Sequence, residues 1–369
     1  MLNTTLTRPL WNVTLGLSRR PLSAMMSRYA KSNILVKSNR FTAFLLAAFF
    51  IAGLSAAGEF FVSASAANDL RVELLPIEID KRNPKRVEFD RLKLLGAFQL
   101  SSKNSRFGGL SGLAIGADSK LYAVSDGGFW LSARMHLDSN GRLLNLEDWD
   151  IAPLLTPDKK PVNKLLADAE ALAQAQDGSF IVGFEHAHRV WRYRAPPETF
   201  SSPAVPVSMP SEIFKAPRNG GLEAVSVLPD GRIFAIAEEF ENPDGSLKAW
   251  LVDDVGFAEL SYQPDSGFSV SDSAALKNGD VIIVERRHSL PVRFSARLTL
   301  IKADHIRPGA TLRGEELLRL EPPLHTDNFE GVAVMETGEG TMIFLVSDDN
   351  FFTLQRTLLF QFLLPKNGQ

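Results

Sequence analysis

The chain lacks cysteine altogether, although it has 369 residues. Disulfide bonds and thiolate chemistry are therefore excluded, whatever the redox state of the compartment. Stability has to come from packing, and a hydrophobic content of 45% is enough for a sizeable core. The length is compatible with one large domain or two ordinary ones.

Several functional motifs are also absent. The sequence contains no Gly-x-Ser-x-Gly elbow, no P-loop and no His-Glu-x-x-His pair, so serine-hydrolase, nucleotide and zinc-protease assignments have no motif behind them. Long segments of helical periodicity are missing from Leu92 onward. Short apolar runs between Asp-Gly, Asn-Gly or Gly-rich turns replace them and predict a mostly β chain.

The first 66 residues differ in composition from the rest. Basic residues up to Arg40 precede an apolar run at 41–54, and small residues follow at 64–66. This order is typical of a secretory signal, and the run is shorter than the ~20 residues that span a bilayer as a helix. We therefore predict a signal peptide and extension over 1–66, cleavage, no stable membrane span afterwards, and a periplasmic or secreted protein. An uncleaved amino-terminal anchor is the alternative.

The predicted exported part is acidic. The leader holds seven Lys and Arg against one Glu, so a net charge of −3 for the chain becomes −9 after residue 66. A nucleic-acid partner would need basic patches, so none is expected. The charge is compatible with binding of cations.

One hairpin recurs five times along the chain. Each copy opens on a Ser or an acid, passes a short turn and closes on an apolar run that ends in an acid. The copies lie at 109–126, 168–185, 221–238, 271–285 and 328–348. The acidic openers are 53, 49 and 58 residues apart, which is the length of a four-stranded propeller blade.

These repeats predict an all-β fold, a β-propeller of five four-stranded blades. The last repeat has only three strands before the chain ends, so we expect the strand Leu92–Leu100 to close the ring against the carboxy-terminal blade. Six blades remain an alternative if 150–166 hides further strands. The predicted organisation is a linker at 67–91 and the propeller at 92–369.

Residues equidistant from a hairpin turn face each other. The openers Glu170, Glu223, Asp272 and Glu330 should therefore converge on one face near the axis, with a second rank of acids behind them. Carboxylates so close repel one another, so we expect a divalent metal, most simply Ca²⁺, or the side chains of Arg218, Arg286 and Arg287 among them. The alternative is that each acid caps a neighbouring loop and has no chemical role.

Two further clusters accompany the hairpin ends. The run 185–189 could place His186 or His188 as a base or ligand, or simply hold two loop histidines. The run 285–288 pairs Arg286 with Arg287, which suits recognition of phosphate or carboxylate, or forms a salt-bridged rim.

The repeated residues resemble the esterase-like or phytase-like family of bacterial exported proteins. The resemblance covers about 107–364 and rests on the runs 107–113, 121–127, 220–224, 230–231 and 327–332, and above all on 345–351 followed by 355–357. It implies a propeller fold and hydrolysis of carboxylic or phosphate esters, assisted by calcium as in propeller phytases. Ser111 departs from the pattern, because it replaces an acid at the first opener.

Three functional hypotheses follow from the sequence. In the first, Ca²⁺ on Glu170, Glu223, Asp272 and Glu330 polarises a small anionic or ester substrate, Arg286 or Arg287 steadies its anionic part, and Glu185 or Glu238 takes the proton. In the second, the propeller is a non-catalytic module that binds a ligand or a protein partner, with a structural metal. The third is a lactonase-type propeller with an axial metal.

Overall fold

The computed structural model describes residues 70–289 and 293–366, and these residues form five β-sheets with four short 3₁₀ turns. Each sheet is a blade of a five-bladed propeller, which confirms the predicted fold class. The predicted signal peptide, at 1–66, lies outside the described residues. No helix among the described residues is long and apolar enough to cross a membrane.

The first three blades follow one another along the chain, each built from antiparallel neighbours. The first blade contains β4 (Leu110–Ile115), β5 (Lys120–Ser125), β6 (Phe129–Leu137) and β7 (Leu143–Pro153). The second contains β8 (Ala169–Gln174), β9 (Phe180–Phe184), β10 (Arg189–Tyr193) and β11 (Val205–Val207). The third contains β12 (Leu222–Val227), β13 (Ile233–Glu241), β14 (Leu247–Val252) and β15 (Phe257–Tyr262), with the short β19 (Thr311–Leu312) parallel to β15.

The last two blades complete the ring. The fourth contains β16 (Ser269–Ala275), β17 (Val281–Ser289), β18 (Arg293–Ile301) and β20 (Glu315–Leu320). The fifth contains β21 (Asn328–Glu336), β22 (Gly340–Asp348), β23 (Thr357–Pro365) and, from the other end of the chain, β3 (Leu92–Ser102). The 3₁₀ turns are Lys164–Leu166, Thr199–Ser201, Ser211–Lys215 and Ala303–His305.

The strand β3 closes the ring as predicted, because it pairs antiparallel with β23. The segment 67–91, expected as a linker, also contributes β1 (Val72–Pro76) and β2 (Glu88–Phe89), both paired with β3. An outer strand left bare would offer unpaired backbone groups to other chains. These two strands cover that edge of the fifth blade.

The blades are joined by apolar side chains and by a few buried polar ties. The inner strands β4, β8, β12, β16 and β21 contact one another in that order, and β21 returns to β4. Trp130, Phe180 and Tyr193, for example, pack together between the first and second blades. Gln361 of the fifth blade accepts a hydrogen bond from the Leu143 N–H and donates to the Gly141 carbonyl of the first.

The segment 150–166 holds no further blade. It contains the end of β7, an isolated bridge between Leu155 and Pro161, and one 3₁₀ turn. The alternative of six blades is therefore excluded.

Each inner strand carries a β-bulge at the same place. The register between the two inner strands of every blade skips one residue just after the inner strand begins; the skipped residues are Ser111, Glu170, Glu223, Ser271 and Glu330. A bulge re-aims the extra side chain. The bulge also shifts the pairing by one position, so that residues at equal distances from the turn no longer face each other directly at the start of the inner strand.

Candidate active and metal-binding site

Two ranks of side chains surround one end of the propeller axis. The front rank consists of the bulge residues Ser111, Glu170, Glu223, Ser271 and Glu330. The second rank consists of residues on the neighbouring strand, or directly after it, that lie opposite the start of the inner hairpin; they are Asp126, Glu185, Glu238, Arg286 and Asp348. The sequence therefore predicted correctly that both ends of each hairpin meet at one end of the blade.

The fourth blade departs from the pattern because it supplies a cation in the second rank. Ser269 of β16 pairs with Arg286 of β17, which puts arginine where the other blades place an acid. The guanidinium donates to Glu238 Oε1 at 3.0 Å, to Glu330 Oε1 at 2.5 Å and to Asn328 Oδ1 at 2.8 Å. Arg286 thus ties together the acids of the third and fifth blades, and the carboxylates around it raise its pKa still further.

Three carboxylates of the second and third blades form a close group. One oxygen atom from each of Glu185, Glu223 and Glu238 lies within 4.8 Å of the others. Glu223 is 3% exposed and Glu185 7%. Glu185 accepts a hydrogen bond from the Gly221 N–H at 3.3 Å. The group offers only oxygen donors, which are the ligands that Ca²⁺ and Mg²⁺ prefer.

A second group shares Glu185. Asp168, Glu185 and His186 also offer ligand atoms within 4.8 Å of one another, and His186 Nδ1 lies 2.9 Å from Asp168 Oδ2. His186 has a positive φ of 32°, in the tight turn after β9. His188 is buried against Gly221, with no hydrogen-bond partner for Nδ1 among the described residues. Of the two histidines that the sequence singled out, His186 therefore meets the acids most directly.

Burial and mutual repulsion make these acids hard to ionise. Desolvation, and then the charge of Glu330, raises the pKa of Asp126 to about 7. Desolvation likewise raises the pKa of Glu185 to about 7, although the Gly221 N–H opposes the shift. Glu170, Glu223 and Asp348 are buried among like charges, and desolvation raises the pKa of each well above its ordinary value. Such shifts cluster at functional sites.

The predicted ligand Asp272 lies apart from this group. In the fourth blade the bulge falls on Ser271, so Asp272 occupies the next position, where the other blades have Gly112, Ala171, Ala224 and Gly331. Its Oδ2 accepts from the Val332 N–H at 2.7 Å, while Oδ1 has no partner among the described residues. Desolvation raises its pKa well above the ordinary value. Asp272 thus links the inner strands of two neighbouring blades.

Arg287, predicted beside Arg286, lies at the edge of the mouth. It donates to Glu321 Oε1 at 2.8 Å and stacks over the Phe268 ring at 4.5 Å. It lines a cavity of about 460 Å³ together with Glu238, Arg286 and Asn350. Arg287 is therefore engaged by protein groups, yet it borders the space next to the axial acids.

The sequence analysis missed Asp126 as a site residue. Asp126 follows β5, and its Oδ1 is shut off from solvent with no hydrogen-bond partner among the described residues. The signal was present, because Asp126 ends the first hairpin as Glu185 and Glu238 end theirs. The first hairpin opens on Ser111 and not on an acid, so its closing residue was not included in the predicted site.

Comparison with known proteins places the chain in one family. A family model described as phytase-like, with esterase-like activity of phytase, matches residues 105–351, about two thirds of the chain. No curated protein matches the sequence.

Solved structures that resemble the chain are distant. A putative gluconolactonase is 14% identical, with 80% of this chain and 92% of that chain covered and a TM-score of 0.39. The PQQ-bound aldose sugar dehydrogenase of Streptomyces coelicolor is 12% identical, with 81% and 99% covered and a TM-score of 0.39. The virginiamycin B lyase of Staphylococcus aureus is 9% identical, with 80% and 100% covered and a TM-score of 0.36.

The family model covers most of the propeller. The repeated hairpins, the acidic mouth and the match over 105–351 agree with one another. The chain therefore belongs to the phytase-like family.

Proposed function

We propose that the axial mouth binds a divalent metal, Ca²⁺ being the best match, and that the protein hydrolyses carboxylic or phosphate esters there. The observation that carries this proposal is the meeting of Glu185, Glu223 and Glu238, whose oxygen atoms lie within 4.8 Å of one another in a largely buried site. Three acids so close are costly to ionise unless a cation joins them.

The charge balance around the axis fits a bound cation. At least eight carboxyl groups interact there electrostatically, among them Asp126, Asp168, Glu170, Glu185, Glu223, Glu238, Glu330 and Asp348. Arg286 is the cation tied most closely to them, and it is already committed to Glu238 and Glu330. Asp126 Oδ1 is buried without a hydrogen-bond partner among the described residues, as expected if a cation neutralises this carboxyl group. The donors are all oxygens, so the group favours a hard cation over a thiophilic one.

The residues then divide into three roles. Glu185, Glu223 and Glu238 would hold the metal, with Glu170 and Glu330 of the predicted set beside them. Bound there, a divalent cation supplies a Lewis acid that polarises the carbonyl or phosphoryl oxygen of the ester. Arg286 keeps Glu238 and Glu330 in position through its two charged hydrogen bonds.

We assign the proton transfer to Asp126. Its carboxylate would accept a proton from the attacking water, and the acid so formed would return that proton to the leaving alkoxide. Ester and water thus give an acid and an alcohol, with no net change at the enzyme. The pKa of about 7 matches this exchange near neutral pH.

The test is turnover of generic p-nitrophenyl esters of acetic and phosphoric acid, with and without chelator, by wild type and by Glu223→Gln. We expect hydrolysis that chelator abolishes and calcium restores, and at least a tenfold weaker metal affinity in the variant. Glu241→Gln is the matched control, because Glu241 lies on the same strand as Glu238 but is exposed. Hydrolysis unaffected by chelator, or a normal affinity in Glu223→Gln, would contradict the proposal.

A non-catalytic binding propeller with a structural metal is the competing function. It would also bind calcium through these acids, and it would be stabilised by the metal in the same way. Tight metal binding without turnover of any ester tested would favour it over hydrolysis.

We also propose export, on the charge pattern and apolar run of residues 1–66. Fractionation of cells that produce the protein with a carboxy-terminal tag should recover it from the periplasm or medium, shortened by about 66 residues. Full-length protein in the membrane fraction would favour the uncleaved anchor instead.

A further inference from the structure

The loop between β22 and β23, residues 349–356, exposes a group of apolar side chains at the end of the propeller where the acids lie. Phe351, Phe352 and Leu354 are 47%, 54% and 79% exposed. Such side chains are costly to leave in water when they are adjacent. We call Phe351, Phe352 and Leu354 the apolar shelf.

Phe351 of the shelf lies next to Asp126 of the axial site. A Cβ atom built on Gly109 would lie 1.9 Å from Asp126 Oδ1 and 2.6 Å from Phe351 Cε2, so the carboxyl group and the ring press against the same glycine. Asn350 of this loop lines the 460 Å³ cavity that also contains Glu238 and Arg286. Phe294 forms an apolar part of the same cavity wall.

The loop is held in a strained conformation rather than left free. Phe351 has φ of 50°, a left-handed conformation that bulky residues rarely adopt. Asp349 fixes it: Oδ1 accepts from the N–H groups of Gly109 and Phe351, each at 3.0 Å, and Oδ2 accepts from Thr357 Oγ1 at 2.9 Å. A strained backbone conformation that neighbouring hydrogen bonds hold in place is typical of ligand-binding loops.

The charges around the mouth do not favour a polyanion. Arg286 is occupied by Glu238 and Glu330, and Arg287 by Glu321. Arg218, which is exposed, and Arg189 also interact electrostatically with Asp168, and Arg189 already donates to the carbonyls of Ala187 and Leu166. A substrate with several phosphate groups would therefore be repelled by the carboxylates more than it is attracted by the arginines.

We infer that the apolar shelf binds the hydrocarbon part of a neutral carboxylic ester whose carbonyl lies at the axial acids, with Phe351 as the specificity-determining residue and Asp349 as its positioning residue. This inference rests on the proposed function for the place of the carbonyl. It narrows the substrate to uncharged esters, lactones included, that carry an apolar chain or ring.

Binding and turnover are tested separately, so that failure of one does not obscure the other. The binding probes are N-ethylacetamide and N-octylacetamide, neutral amides that resemble esters but resist hydrolysis, titrated calorimetrically into the calcium-loaded protein. We expect the octyl amide to bind at least tenfold more tightly, because part of its chain leaves water on the shelf. Turnover is compared with p-nitrophenyl acetate and octanoate.

Phe351→Ala should reduce the octyl preference about tenfold in binding and in kcat/KM. Phe257→Ala is the matched control, since Phe257 is 55% exposed but lies on β15 at the periphery of the third blade. Asp349→Ala should lose the preference for the octyl probe although the Phe351 ring is still present. Asp349→Asn, which keeps an acceptor oxygen, should retain it.

Two results would overturn the inference: equal affinities of the two amides in wild type, or an octyl preference that survives Phe351→Ala. Octyl phosphate bound more tightly than N-octylacetamide would contradict the neutral substrate class. If no ester is hydrolysed but the amides show the chain-length preference and Phe351→Ala removes it, the proposed hydrolysis fails while the shelf stands.

Discussion

Raising the pH of the metal-free protein from 5 to 8 should weaken its fold. Glu185 titrates at about 7 when folded and near 4.5 when unfolded. Between these values the folded protein holds a proton that the unfolded chain has released, so the free energy of unfolding falls as pH rises. Below pH 4.5 both states are protonated, and above 7 both are ionised and the penalty is complete.

The size of the effect follows from the shift. A change of one pKa unit corresponds to about 1.4 kcal/mol, so Glu185 alone contributes a loss of about 3 kcal/mol across this window. With an unfolding entropy of roughly 2.1 cal/mol/K per residue, about 300 ordered residues turn that loss into a drop in Tm of ~5 °C. Asp126 titrates in the same range and adds to the fall.

Calorimetric melting from pH 5 to 8 in chelator measures this dependence. Glu185→Gln should make the curve less steep, whereas Glu241→Gln, exposed on β13, should leave it unchanged. Calcium at about one hundred times its Kd should raise the free energy of unfolding at pH 8 by ~3 kcal/mol. A Tm that rises from pH 5 to 8 without metal would refute the reasoning, because the acids would then be stabilised when ionised.

Three substitutions test the contacts around the site. Arg286→Met should cost about 3–5 kcal/mol of unfolding free energy in denaturant melts at pH 8, because Glu238 and Glu330 then lose their buried cation. Arg287→Met, at the solvent-exposed edge, should cost about 1 kcal/mol or less. Equal losses in the two variants would contradict this ranking. Asp272→Ala should cost about 1–3 kcal/mol by stranding the Val332 N–H, while Asp272→Asn, which keeps an acceptor, should cost clearly less and leave calcium affinity unchanged. Gln361→Leu should cost about 2–4 kcal/mol, since two buried backbone groups of the first blade lose their partner; a near-neutral result in melting would show that water replaces the amide.

Repetition made the fold predictable. The turn signals and apolar runs recur at blade-length intervals, and the count of strands in the last blade left one place for β3 to fill. The outer strands β1 and β2 were not anticipated, because edge strands of five and two residues carry almost no periodic signal. Their formation depends on the edge of β3 with which they pair.

The site was predicted in outline but not in register. Counting from the turns brought Glu170, Glu223 and Glu330 to one mouth, yet it put Asp272 in the set in place of Ser271. The reason is the bulge, which adds one unpaired residue to each inner strand and so breaks the one-to-one count from the turn. Alignment of the apolar positions, Val270 with Leu222 and Phe329, would have placed Ser271 at the opener.

Anomalous diffraction from crystals soaked in Mn²⁺, or in a lanthanide that mimics Ca²⁺, tests the metal site most directly. The account predicts one strong peak among the carboxylates of Glu185, Glu223 and Glu238, which disappears in Glu223→Gln crystals soaked in the same way. A peak elsewhere on the propeller, or none at the axis at saturating metal, would contradict it.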